Sequence, residues 1–414
     1  MSTSTVTANS SAYHDLLISA DSHVAENKDL RARLPAHLRE QMPLLVPGTG
    51  GDLDDEINGE IKNRSSWKTL SKQDRELEFR SDPSLGTDLD RRMHDMAREG
   101  VDAQVVFPNI ALNFGGSHQT REYSSAFARA YNDYVRETFA PASKRFKPAA
   151  MIPTDDIEDT LAEARKCIDD GFSTLFLPCV VPWQPYRLKL YEPLWSMTEE
   201  ASIPLTFHVF SGNLALGGEF ADPGHMSEER LALAVKHGKD RLKHTEHLDT
   251  VIGMAAGMAP ILELTASGVL ERHPNLRFVI TESDCGWLAW ALQAMDQMQR
   301  RRHLYRKDLP LRASEYFLRQ GFVTITDDPV GLNNIEFTGS DCLLWGNDYP
   351  HDEGTWPDSH EAIKAIRKAL GDAAAKVLCG NAADLYGFDL DYLASVHEEI
   401  TSLASRDSAW TNAP

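Results

Sequence analysis

The stretch of residues 16–24, LLISADSHV, begins as an apolar run and ends in the polar residues Asp21, Ser22 and His23. Comparable runs recur along the chain at 101–108 (VDAQVVFP), 146–153 (FKPAAMIP), 172–178 (FSTLFLP), 203–210 (IPLTFHVF), 277–283 (RFVITES), 321–327 (GFVTITD) and 342–350 (CLLWGNDYP). Continuous apolar runs of this length suit strands that are buried on both faces, as in a parallel sheet. The sequence therefore predicts eight buried strands.

The segments between these runs have helical spacing, most clearly at 156–171, 190–202, 285–307 and 359–370. The first of them follows Thr154 and Asp155, which can cap a helix, and it ends on Gly171. Eight strands that alternate with helices predict an α/β fold, a closed (β/α)8 TIM barrel. The alternative, an open doubly wound sheet, would need a glycine-rich turn after its first strand, and DSHVAE stands there instead.

Length alone would suggest two or three domains, but a single barrel with insertions also reaches 414 residues, and the strand pattern predicts one barrel domain over residues 15–390. Two segments exceed what a barrel needs, the insertions at about 27–88 and 211–243, after the first and fifth strands. Both follow strand C-termini, where barrel active sites form, so each is a candidate lid or interface arm. The Ser- and Thr-rich residues 1–14 indicate a disordered tail, and 391–414 a C-terminal helix and tail.

The charge balance argues against two classes of partner. Acidic residues outnumber basic ones 62 to 42, for a formal charge of −20, which disfavours nucleic acid and anionic membranes and leaves a small-molecule substrate. The five cysteines are scattered without a CxxC pair, and the N-terminus has no apolar signal segment. Both features fit a reducing cytoplasm.

Metal-ligand chemistry is concentrated at the predicted strand ends. Asp21 and His23 are two residues apart and point to the same side of the first strand. The fifth, sixth and eighth strands end in residues of the same kind, in TFHVF, TES and GNDYPHDE: His208, Glu282 and Asp348. Strand ends converge at one mouth of a barrel, and carboxylates with imidazoles suit Zn²⁺, Mn²⁺ or Fe²⁺. Alone, each has a plainer interpretation, such as a core histidine or a turn aspartate.

Four motifs resemble one enzyme family: DSHVAE, LERHPNLRFVITES, WGNDYPHDEGTWP and LCGNAADLYGFD. Together they are similar to the amidohydrolase superfamily, in its amidohydrolase-related branch, typified by aminocarboxymuconate-semialdehyde and γ-resorcylate decarboxylases. The resemblance implies a divalent metal, with Zn²⁺ the first expectation, held by Asp21, His23, His208 and Asp348. It also implies hydrolysis or decarboxylation of a small carboxylate-bearing or amide substrate. Asp348 would be both ligand and proton acceptor, assisted by Glu282 or His351.

Two positions depart from the family pattern. The first strand carries Asp21 where many members have histidine or glutamate, and the sixth carries Glu282 where the decarboxylases and hydrolases have histidine. With Glu26 added, four carboxylates and two histidines would suffice for two Mn²⁺ or Fe²⁺ ions, as in members resembling 2-aminoisobutyrate hydroxylase, which use oxygen. His247 is a further candidate ligand. Alternatively, Glu26 faces solvent or caps a helix, and Glu282 only hydrogen-bonds a ligand histidine.

A third hypothesis is a non-catalytic metal-binding subunit of a hetero-oligomer. The expected assembly is a homodimer or a hetero-oligomer with a related chain. The number of metal ions per chain distinguishes the one-metal enzyme from the two-metal oxygenase.

Overall fold

The computed structural model describes residues 13–47, 53–62, 86–109, 120–139, 141–181, 183–212, 250–301, 309–351 and 353–397. All eight predicted strands form within these ranges. They are β1 (Ile18–Ser19 and His23–Val24), β2 (Ala103–Pro108), β3 (Phe146–Pro148 and Ala150–Met151), β4 (Leu175–Val180), β5 (Leu205–Gly212), β6 (Phe278–Thr281), β7 (Gly321–Ile325) and β8 (Leu343–Trp345). Where strand residues pair with a neighbouring barrel strand, they run parallel to it.

The strands follow one another around a ring in chain order. β3 joins its two neighbours through separate pieces, because Phe146–Pro148 pairs with β2 and Ala150–Met151 pairs with β4. Backbone hydrogen bonds also join β8 to β1: Ala20 N donates to Trp345 O at 2.8 Å and Asp348 N donates to Asp21 O at 3.1 Å. The predicted (β/α)8 barrel is confirmed.

Helices follow each strand and cover the outside of the ring. Their bounds are Leu89–Glu99, Arg121–Thr138, Ile157–Asp169, Glu192–Ala201, Thr250–Ala255, Met258–Ala266, Val269–Arg272, Leu288–Arg301, Ala313–Gln320, Pro329–Asn333, Ile335–Thr338, His360–Leu370 and Asn381–Tyr386. Shorter helical turns lie at Lys189–Tyr191, Gly371–Ala373 and Lys376–Gly380. The cap of Ile157–Asp169 is Asp156, whose carboxylate accepts from the backbone N–H groups of Glu158 and Asp159. The predicted caps, Thr154 and Asp155, precede it.

The barrel interior is packed with strand side chains. Phe107, Phe176 and Val279 point inward and are fully or almost fully buried, and the Phe107 ring contacts the rings of Phe176 and His208. Burying each such side chain stabilises the fold by roughly 1.5–3 kcal/mol. Because the interior is filled, the polar residues at the C-terminal strand ends lie on a rigid floor rather than over a pore.

The first insertion is described in part. Helix Lys28–Arg33 and a turn at Arg39–Gln41 lead into three antiparallel strands, Leu44–Pro47, Leu53–Ile57 and Glu60–Lys62. Residues 63–85 of this insertion, and residues 213–243 of the second, lie outside the described residues, as do residues 1–12 and 398–414 of the two predicted tails. Residues 390–397 are helical, and His397 Nδ1 lies 2.9 Å from the buried Asp102 carboxylate. No helix among the described residues is long and apolar enough to span a bilayer.

Candidate metal centre

Asp21 and His23 lie where β1 meets β8, and both are fully buried. The His23 ring is fixed by its Nδ1, which lies 2.8 Å from the backbone oxygen of Pro108 at the end of β2. A carbonyl oxygen can only accept, so Nδ1 donates to it, and Nε2 faces the barrel mouth, where it can bind a metal ion once it has lost its own proton. The backbone carbonyl of Asp21 is held in place by two hydrogen bonds. It accepts from Ser19 Oγ at 2.7 Å and from Asp348 N at 3.1 Å.

His208 has the same arrangement on β5. Its Nδ1 lies 2.9 Å from the Val209 carbonyl oxygen, which leaves Nε2 facing the mouth. The ring is completely buried and makes an edge contact with Phe107, centroid to centroid 5.2 Å. Both histidines therefore turn Nε2 towards the same space.

Glu282 and Asp348 follow β6 and β8 with an unusual backbone. Both are in the left-handed region, with φ of 59° and 55°. For a residue other than glycine this conformation costs roughly 1–3 kcal/mol, and such strain is concentrated at functional sites. Local contacts hold it, because Glu282 N donates to Thr324 Oγ1 at 2.7 Å and Asp348 N donates to Asp21 O at 3.1 Å.

The side chains of these five residues meet in one cluster. His23 Nε2 lies 3.2 Å from Asp348 Oδ1 and 3.4 Å from Asp21 Oδ1. His208 Nε2 lies 3.4 Å from Asp21 Oδ1 and 3.4 Å from Glu282 Oε2. Several of these buried atoms have no satisfactory hydrogen bond among the described residues: Asp21 Oδ2, His23 Nε2, Glu282 Oε2 and both Asp348 oxygens. Leaving a buried polar atom unpaired costs about 1–3 kcal/mol, so this concentration of donor atoms is what a cation-binding site requires.

The donor spacing fits a divalent metal ion. Ligands lie about 2.0–2.2 Å from such an ion, so two ligands of one ion are about 3.0–3.5 Å apart in octahedral or tetrahedral geometry. The contacts of 3.2–3.4 Å fall in this range. Two overlapping sets of donors lie mutually within 4.8 Å: Asp21, His23, His208 and Glu282, and His23, Glu282, Asp348 and His351.

Burial and crowding of charges perturb the ionisation of the cluster. Burial, reinforced by Asp348 and Asp21, raises the pKa of Glu282 well above its ordinary value. Burial also opposes ionisation of Asp348, but the nearby His351 and His23 outweigh it and lower the pKa of Asp348. Although burial disfavours a charged His23, the carboxylates of Asp21 and Asp348 that face its Nε2 raise its pKa to about 10. Without a cation, the cluster retains protons that metal binding would displace.

The remaining predicted site residues differ in their placement. His351 lies beside the cluster, with Nδ1 2.9 Å from Asp348 Oδ1. Glu26 is buried and belongs to neither donor set, and its Oε1 accepts from Asn109 N at 3.1 Å. His247 lies outside the described residues. The ligand roles of Glu26 and His247 therefore remain predictions.

Sequence reasoning missed two supporting residues. Arg92, on helix Leu89–Glu99, is buried and donates to the backbone oxygen of His23 and, at 2.9 Å, to Gln104 Oε1. Asn109, at the end of β2, lies 2.9 Å from His351 Nε2 through its Oδ1. No local pattern marks either residue, because their partners come from distant parts of the chain.

Known proteins with similar sequences are decarboxylases. The chain is 22% identical over 318 residues to gamma-resorcylate decarboxylase of Polaromonas sp. (strain JS666 / ATCC BAA-500), covering 72% of this chain and 86% of the relative. It is 24% identical over 315 residues to 2-amino-3-carboxymuconate-6-semialdehyde decarboxylase of Dictyostelium discoideum, covering 75% and 80%.

Solved structures support the fold. The crystal structure of a dihydroxybenzoic acid decarboxylase from Polaromonas sp. JS666, with bound manganese and the inhibitor 2-nitroresorcinol, matches with a TM-score of 0.59 at 18% identity, covering 90% of this chain and 97% of that one. The sequence profile of one family, described as amidohydrolase, matches residues 23–388, from the His23 of β1 past the last barrel helix. The resemblance seen in the sequence motifs is thus confirmed, and the chain belongs to the amidohydrolase family.

Proposed function

We propose that this protein is a metal-dependent carboxy-lyase that releases carbon dioxide from a small carboxylated substrate. The observation that carries this proposal is the set of buried, unpaired carboxylate oxygens and imidazole nitrogens that converge at the barrel mouth. The named relatives, all decarboxylases, supply the reaction type.

Asp21, His23, His208 and Asp348 would hold the ion. A bound divalent cation would polarise a carboxylate or phenolate oxygen of the substrate. We expect Zn²⁺ first, with Mn²⁺ as the alternative, since a related decarboxylase binds manganese in its crystal structure. With the ion bound, Asp21 and Asp348 would supply negative charge, and the two histidines, whose Nδ1 atoms lie against backbone carbonyls, would supply nitrogen donors through Nε2.

Decarboxylation breaks a carbon–carbon bond, releases carbon dioxide and leaves a carbon that must take up a proton. Asp348 is the group placed to exchange that proton, because neither of its oxygens has a hydrogen-bond partner among the described residues. Glu282 faces the same mouth from β6, where the decarboxylases of the family carry a histidine. It takes the place of that histidine in returning the proton to Asp348.

The experiment is to count metals in the purified protein by elemental analysis and to measure carbon dioxide released from γ-resorcylate and other carboxylated aromatic acids. We expect one divalent ion per chain and a release that stops on chelation and resumes when the ion is restored. A metal-loaded protein that releases carbon dioxide from none of these acids would count against the proposal.

A second candidate is a two-metal oxygen-dependent hydroxylase. It is favoured by the two overlapping donor sets, which share His23 and Glu282. The named relatives lend it no support, since they are decarboxylases. Two redox-active ions per chain, with oxygen consumed in the presence of substrate, would favour this candidate over the carboxy-lyase.

The assembly and location remain predictions. We expect a homodimer or a hetero-oligomer with a related chain, located in the cytoplasm. Light scattering on the purified protein gives the mass of the assembly. A protein that binds metal but is active only after a related chain is added would support the non-catalytic subunit hypothesis.

A further inference from the structure

Pro108 and Asn109, at the described C-terminal end of β2, belong to neither donor set, yet they contact two histidine rings at the metal centre. The Pro108 carbonyl oxygen lies 2.8 Å from His23 Nδ1, and the next residue, Asn109, places its Oδ1 2.9 Å from His351 Nε2. The two rings are stacked, with centroids 4.0 Å apart and planes 25° apart. Two consecutive residues therefore orient two stacked imidazoles towards the same carboxylate, that of Asp348.

The contact with Asn109 decides which nitrogen of His351 carries the proton. An amide oxygen only accepts, so His351 Nε2 must donate, and in a neutral imidazole Nδ1 then carries a lone pair. That Nδ1 lies 2.9 Å from Asp348 Oδ1, but neither atom has a satisfactory hydrogen bond among the described residues. When His351 is neutral, these two atoms are acceptors that face each other at 2.9 Å, and a cation that both of them bind, a proton or a metal ion, stabilises the pair.

Asn109 is itself held from the other side. Its backbone N–H donates to Glu26 Oε1 at 3.1 Å, and Glu26 is buried. This contact gives Glu26 a structural task that does not require it to touch a metal. It fixes the segment that carries the amide of Asn109.

We propose that Asn109 is a positioning residue that holds His351 with a proton on Nε2, so that Nδ1 acts as an additional nitrogen donor to the metal ion. The proposal rests on the metal centre of the proposed function, but not on the reaction carried out there. Histidine ligands generally donate their second ring N–H to an oxygen, and changing that oxygen typically costs about 10–100-fold in metal affinity.

The test compares Asn109→Ala, Asn109→Asp and the control Asn334→Ala in the full-length protein. Asn334 is also a partly buried asparagine, but among the described residues its side-chain amide makes only a 3.4 Å contact with Gly286 O. Zn²⁺ affinity is measured by competition with a chromophoric chelator. We expect Asn109→Ala to lose about 10–100-fold in affinity. Asn109→Asp, which keeps an acceptor, should bind Zn²⁺ at least as tightly as the wild type does. The control Asn334→Ala should have the Zn²⁺ affinity of the wild type.

The tautomer is measured directly by NMR of the Zn²⁺-loaded, ¹⁵N-histidine-labelled protein, with the His351 ring signals assigned by their loss in His351→Gln. We expect the wild type and Asn109→Asp to carry the proton on Nε2. A proton on Nδ1 in the wild type, or an unchanged Zn²⁺ affinity in Asn109→Ala, would overturn the proposal. A wild type that binds Zn²⁺ but releases no carbon dioxide would count only against the carboxy-lyase.

Discussion

Gly346 lies directly against Asp21. A Cβ atom at position 346 would be 2.6 Å from Asp21 Cβ and 3.1 Å from Asp21 N. Neither atom can move by a change of side-chain rotamer, so any larger residue at 346 must push β8 away from β1. The glycine that precedes the motif NDYPH therefore sets how closely the two strands that carry Asp21 and Asp348 can approach.

Gly346→Ala should weaken metal binding by displacing Asp21. Overpacking of this kind costs roughly 1–3 kcal/mol in the free energy of unfolding. We expect a drop in Zn²⁺ affinity of at least about 10-fold, as for changes that misorient a ligand. Chelator competition and thermal unfolding measure the two effects. Gly380→Ala is the control, because its Cβ would meet nothing closer than 3.8 Å. An unchanged affinity in Gly346→Ala would show that Asp21 is not a ligand.

His208→Ala should abolish tight metal binding, since it removes the only ligand from β5. The matched control is His273→Ala, which removes another buried histidine. His273 lies 3.0 Å from both Glu192 and Glu199, in the segment before β6. We expect His273→Ala to lose stability but to keep its metal. Elemental analysis after dialysis decides the question, and full metal content in His208→Ala would make His208 a core residue.

The barrel could be predicted from sequence because burial on both faces leaves continuous apolar runs. The ends of helices and strands were harder to predict. The first strand, for example, is shorter than its apolar run and is divided into two pieces. The helix cap shows why. Thr154 is buried, and Asp155 is partly buried with its carboxyl hydrogen-bonded to Ser124, while the Asp156 carboxylate caps the helix. Tertiary contacts decided among three suitable residues in a row.

The cluster could be predicted because parallel strand ends meet at one mouth, which brings Asp21, His208 and Asp348 together without any local signal. Their supporting residues could not be predicted. Asn109 is 242 positions from His351 in the chain, and nothing in either segment indicates the contact. The left-handed backbone of Glu282 was equally hidden, because glutamate rarely adopts it and only tertiary contacts stabilise it.

Asp102 should give the fold a measurable pH dependence away from the metal centre. Its buried carboxyl accepts from Leu17 N at 2.8 Å, and burial raises its pKa above 3.8. A carboxyl whose pKa is higher in the folded state stabilises the fold at low pH, and this contribution is lost as the pH rises through the folded-state pKa. The free energy of unfolding of wild type minus that of Asp102→Asn should therefore fall from about pH 4 towards neutrality. Urea unfolding at several pH values checks this, and a difference that rises with pH would contradict it.

Glu282 is the residue that decides between the two candidate functions. Its Oε2 lies 3.4 Å from His208 Nε2, beyond the usual hydrogen-bond range of about 2.7–3.2 Å and close to the spacing of two ligands on one ion. Glu282→Gln keeps the size of the side chain but replaces the carboxylate with a weaker neutral donor. If Glu282 is a ligand, this variant should lose metal affinity or one ion per chain. Glu263→Gln is the control, because Glu263 pairs with Arg187 on the outside of the barrel.

Glu282→His separates the functions, because it introduces the residue that the decarboxylases of the family carry on the sixth strand. A carboxy-lyase with one ion should keep that ion and retain carbon dioxide release in this variant. A two-metal oxygenase should fall from two ions to one and lose oxygen consumption, since Glu282 belongs to both donor sets. Elemental analysis and the two activity assays on the same preparations distinguish these results. If Glu282→Gln and Glu282→His both keep the metal content and affinity of wild type, Glu282 is not a ligand, and the two-metal candidate loses the residue on which it depends.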